Sequence, residues 1–121
     1  MSLGIYNQKY FENHPEERNV DGVLYCVVLV NQQTSERECI KIGIAKGKDW
    51  RHVIKRAGGF KGYDIRIQKT VTGPLQDIYY LEQYLHELWA HKRFIPTKKF
   101  AGWTELFEMD PEIIRSIPKT I

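Results

Sequence analysis

The chain has no run of apolar residues near the roughly 18 needed to span a bilayer, and no basic and apolar blocks of a signal peptide near Met1. These absences predict a protein without a membrane partner that works in the cytoplasm, or in a host cytoplasm if the source is a phage. Cysteine is scarce: Cys26 and Cys39 are the two present, with no CxxC spacing, so buried free thiols are expected rather than a disulfide or a metal site. No P-loop, HExxH, GxGxxG or nucleophile elbow occurs. Nor do the four histidines, at 14, 52, 86 and 91, have a zinc-binding spacing. Charge is only weakly one-sided, at a formal +3, which neither requires nor opposes a nucleic-acid partner. There is also no asparagine after Asn31.

What is present is the composition of one globular domain, 42% apolar and 27% charged over 121 residues. Residues 1–20 carry no sustained period and are expected to be an arm, with the folded domain over 21–121. The organising stretch is 21–45. Val23 to Val30 is so continuously apolar that a strand covered on both faces is expected, and Cys39 to Ile44 alternates more. Asn31 to Glu38, with no apolar residue, is their hairpin loop. Trp50, Val53, Ile54 and Ala57 mark one face of a short helix, and Asp64 to Val71 alternates as a third strand.

Pro74 heads a long helix predicted over Leu75 to about Phe94, with apolar residues at 75, 78, 81, 85, 88 and 89. At about 100° per residue its apolar face centres near Leu81, Leu85 and Leu88, placing Glu82 and His86 together on the flank. Alternating Trp103, Glu105 and Phe107 suggest a short strand or extended segment, and Asp110-Pro111-Glu112 predicts a capped terminal helix over Pro111 to Ile117. The expected fold is α/β (α+β), a single compact domain with a small, mainly antiparallel three-stranded sheet flanked by helices.

Taken in order, Leu24-Tyr25-Cys26, Lys41-Ile42-Gly43, an arginine on the short helix and Leu81-Glu82-x-x-Leu85-His86 resemble the motifs of the GIY-YIG nuclease superfamily. The likeness is to its phage and restriction-type branch, in which lysine often replaces the second tyrosine and the domain closes on an acidic, aromatic segment like Gly102 to Phe107. It covers roughly residues 21–116. Gly4-Ile5-Tyr6 spells the name literally but lies in a stretch with no strand pattern, whereas Tyr25 lies one hairpin away from Lys41.

The resemblance implies a DNA endonuclease. Glu82 would hold Mg2+, or another divalent ion such as Mn2+; Tyr25 would activate or position water, with Lys41 favouring its phenolate; an arginine would stabilise the phosphate. Arg56 fits the family pattern through Val53 and Ala57, while Arg51 has the ten-residue spacing from Lys41 that is common in the family. Lys46, Lys98 and Lys99 are candidate contacts to the DNA backbone. The superfamily's late asparagine is missing, and Thr104 or Glu105 stands near its position. A weakly catalytic nucleic-acid-binding module of the same fold is the alternative.

Overall fold

A computed structural model of the chain describes residues 6–56, 60–97, 99–100 and 103–121, except the side chain of Arg56. Its centre is the expected hairpin, β1 (Asp21–Asn31) and β2 (Arg37–Lys46), paired antiparallel with Tyr25 opposite Gly43 and Val27 opposite Lys41. The loop between them is set by Asn31, whose Oδ1 accepts from the backbone N–H groups of Gln33 and Thr34 at 2.9 and 3.2 Å.

Helix α2 (Arg51–Arg56) follows, then β3 (Tyr63–Pro74), which pairs with the other side of β1. Between the Cys26–Lys69 and Val27–Ile67 pairs Gln68 is the extra residue of a bulge. The sheet has four strands rather than the three expected, in the order β3-β1-β2-β4, all antiparallel. The added strand, β4 (Leu106–Glu108), is three residues long and overlaps the segment whose alternation suggests a short strand or extended stretch.

The continuous apolar run of β1 is covered on both faces, as expected: Gly22 to Leu29 are all buried. On one face Leu24, Cys26 and Val28 pack with α3 (Leu75–Leu88) and α4 (Pro111–Ser116). On the other, Val23, Tyr25, Val27 and Leu29 meet Trp50, Ile54, Phe60 and Leu106. Cys26 and Cys39 are free, lie on opposite faces, and have thiol pKa values pushed up by burial to about 12, so both are inert core residues.

The first 20 residues contain more structure than their sequence pattern suggests. Helix α1 (Gln8–Asn13) buries Phe11, whose ring lies 5.6 Å from that of Tyr79. Pro74 leaves the start of α3 without a side-chain cap, and the arm compensates: Leu75 N–H donates to Val20 O at 2.8 Å and Gln76 N–H to Arg18 O at 3.1 Å. A Cβ on Gly22 would lie 2.8 Å from Leu75 Cα, so this close seating of the helix on β1 requires glycine.

Helix α3 ends at Leu88, short of the expected Phe94, and a 3-10 turn over Ala90–Lys92 follows. Its buried stripe is also rotated from the sequence expectation. Leu75, Ile78, Glu82, Leu85 and His86 are buried, whereas Leu88 is 42% exposed. The terminal helix begins as predicted, with Asp110 Oδ1 accepting from Glu112 N–H at 2.9 Å, and its other oxygen accepts from Lys92 Nζ at 2.7 Å. Among the described residues no helix is long and apolar enough to cross a membrane.

Candidate active site

The hairpin register places Tyr25 and Lys41 on one face of the sheet, because residues opposite each other in an antiparallel pair share a face and the side-chain period is two. Gly43 is what lets them meet. A Cβ there would fall 2.5 Å from Tyr25 Oη, 2.6 Å from Tyr25 Cζ and 3.1 Å from Lys41 Nζ, so the phenol lies across β2 in the space that a side chain would fill. Lys41 Nζ stands 5.5 Å from the centre of the Tyr25 ring and 5.8 Å from that of Phe60, and Trp50 stacks on Tyr25 at 5.4 Å.

Helix α3 and the residues before β4 complete the cluster. Glu105 ends a 3-10 turn (Trp103–Glu105), and β4 then pairs Leu106 with Lys41, which brings the Glu105 carboxylate into an ion pair with the Lys41 ammonium. Beyond Lys41, β2 has no β4 residue paired to it. His86 uses that gap: its Nε2 bonds Ile42 O at 3.0 Å, and because a carbonyl can only accept, Nε2 carries the hydrogen and Nδ1 is left bare.

Glu82 is 1% exposed, so it sits inside the apolar stripe rather than on its flank. One of its oxygens, Oε1, accepts from Gln83 Nε2 at 3.2 Å, but no donor among the described residues reaches Oε2. Glu82, His86 and Glu105 each offer a ligand atom, and these three atoms lie within 4.8 Å of one another.

Electrostatics separates the two carboxyls. Burial, and then the neighbouring Glu105 carboxylate, push the Glu82 pKa well up, so the acid holds its proton. Burial acts the same way on Glu105, but the charge and hydrogen bond of Lys41 outweigh it and bring its pKa down. Burial opposes the charge of Lys41 as well; Glu105 and Tyr25 more than offset this and hold its pKa above the ordinary lysine value. His86 is lowered by burial and stays a neutral imidazole.

Tyr25 departs from the expected phenolate. Burial raises its pKa more than Lys41 lowers it, and Glu105 and Glu82 raise it further, so the resting group is a phenol.

The structure therefore brings together Tyr25, Lys41 and Glu82, and adds His86 and Glu105. His86 has a sequence signal in its i, i+4 spacing from Glu82; Glu105 stands near the place of the absent asparagine. Arg51 does not join the cluster: it is 73% exposed, pairs with Asp49 at 3.4 Å and lies over Trp50 at 5.1 Å. The side chain of Arg56, and Lys98, are outside the described residues. Lys46 pairs with Glu17 at 2.8 Å, and Lys99 stands 4.6 Å above Trp103. Arg93, which the sequence did not single out, lies 5.4 Å from the Phe107 ring and donates to Thr104 O, one residue before Glu105.

No family model matches the chain, and neither a curated protein nor a solved structure matches it.

Proposed function

We propose that the chain is a divalent-metal-dependent endonuclease of the GIY-YIG type, hydrolysing DNA phosphodiester bonds in the cytoplasm of a cell or of a phage-infected host. The observation that carries this reading is the meeting of Tyr25 and Lys41, from adjacent strands, with Glu82 from a helix in one buried cluster. A purely structural role for these polar groups predicts that they stay apart at the borders of the core.

The residues fit a cation. Glu82 Oε2 is a buried oxygen that no donor among the described residues reaches, and an acid that is costly to bury is what a metal ligand requires. A dication such as Mg2+, bound through Glu82, supplies Lewis-acid stabilisation of the charge that develops on the phosphate. Tyr25 orients the attacking water through its hydroxyl; once its own phenol proton has passed to solvent, the phenolate takes the proton of that water as it attacks phosphorus. Lys41, beside the ring, stabilises that phenolate and shares its charge with Glu105. Arg56 clamps the non-bridging oxygens through its guanidinium fork.

The test is cleavage of duplex, branched and single-stranded DNA with and without Mg2+, alongside Glu82→Ala. Metal-dependent cleavage that the variant loses, with DNA binding kept, supports the enzyme. The tie between Lys41 and Glu105 favours a second reading, a nucleic-acid-binding module with little catalysis, because it occupies the ammonium that the phenolate needs. Binding without cleavage of any of the three DNA forms selects that reading and sinks the first.

A further inference from the structure

A nuclease site of the kind proposed needs only Glu82 to hold its cation, yet His86 is built as a ligand would be. It is 4% exposed and held by the Nε2 bond to Ile42 O, which fixes the tautomer and leaves Nδ1 with a free lone pair. Imidazoles that bind metals are generally held in this way, with the other ring nitrogen donating to a carbonyl or carboxylate. Glu82 brings a buried Oε2 that no donor among the described residues reaches, and Glu105 a carboxylate already partly balanced by Lys41. The three ligand atoms fall within 4.8 Å of one another, a span that one ion can bridge.

We infer that Glu82, His86 and Glu105 form a single carboxylate–imidazole–carboxylate site selective for a first-row transition-metal dication, of the Mn2+ and Zn2+ class, over Mg2+. The use of that ion rests on the endonuclease reading; its binding does not. The selectivity follows from the donor set. Mg2+ is a hard cation that prefers oxygen and keeps most of its water, whereas an imidazole nitrogen adds affinity for transition metals. Three protein ligands also leave coordination positions for water or a phosphate oxygen, as catalytic metal sites do.

The test uses the full chain and the metals alone. Mn2+ and Mg2+ are titrated separately by calorimetry, and the Mn2+-loaded protein is examined by pulsed electron paramagnetic resonance for coupling to a bound 14N nucleus. The expected result is Mn2+ binding at least about tenfold tighter than Mg2+, with nitrogen coupling; His86→Gln removes the coupling and weakens Mn2+ by about 10–100-fold, with little change for Mg2+. Equal affinities and no nitrogen coupling in the unmodified protein overturn the inference and leave His86 as a structural donor to Ile42. Should His86→Gln fail to fold, the coupling in the unmodified protein decides by itself. Nitrogen coupling without cleavage of any DNA upholds the metal site and fails the endonuclease reading, while Glu82-dependent cleavage without coupling does the reverse.

Discussion

The two faces of the central hairpin are both buried but built to different rules. The face under α3 and α4 is closed mainly with aliphatic residues, Phe107 and Cys26, and the buried polar groups it meets, Glu82 and His86, come from one flank of α3. The opposite face puts Tyr25 and Lys41 among Trp50, Phe60 and Leu106 and admits an ion pair. An apolar core gains stability from each group it encloses, whereas burying an ammonium and a carboxylate gains little, because desolvation cancels most of their attraction. The aliphatic groups hold the fold together; the buried polar ones, Lys41 and Glu105 with Glu82 and His86, are retained for what they do.

That contrast breaks most sharply at Lys41. Replacing it by Met removes the ammonium that pairs with Glu105 in the buried cluster, and the expected loss is about 3–5 kcal/mol in urea unfolding. The double variant Lys41→Met/Glu105→Leu should recover most of that loss. If it is no more stable than the single variant, the pair is a structural element after all.

Next in size, Ile113→Ala opens a cavity on the apolar face and should cost about 2–5 kcal/mol, while metal affinity measured on the folded variant stays as it was. A parallel loss of metal affinity would mean that the aliphatic packing and the polar cluster are not separable. Gly43→Ala is smaller, at about 1–3 kcal/mol, because its Cβ would have to displace the hydroxyl end of the buried Tyr25 ring. Its effect on cleavage should exceed its effect on stability, and a variant with full activity would show that the position of the phenol does not matter.

The smallest effect is the pH dependence of the metal-free protein. Burial, and then Glu105, raise Glu82 above its ordinary value of 4.5. Its protonation therefore stabilises the fold in full below that value, and the contribution is lost as pH rises through the raised one. Glu82→Gln should flatten that part of a stability–pH curve measured with chelator present. Identical curves for the two proteins would place the charge elsewhere.

Much of this was legible in the residues. The two-sided burial of β1, the pairing of Tyr25 and Lys41 across one hairpin, and the Asp110 cap all follow from local patterns that tertiary contacts did not override. The phase of α3 did not. Leu88 drew the predicted apolar face away from Glu82 and His86, and the true stripe accepts two ionisable residues because Ile42 O and the Lys41–Glu105 pair are there to meet them. A helical period read from hydrophobicity cannot register partners supplied by other elements. For the same reason Glu105 was read as a residue of an extended segment, although it ends a 3-10 turn.

The bulge in β3 has a bearing on how copies of the chain treat one another. That strand forms a border of the sheet, and a flat border invites a neighbour's strand to join and so begin a fibril. Gln68 interrupts the regular spacing midway, while Asp64, Arg66 and Lys69 line the same stretch with charge. Any strand added there would have to match an irregular ladder and lie against three charged residues, so the border that the hairpin needs for support on one side is a poor template on the other.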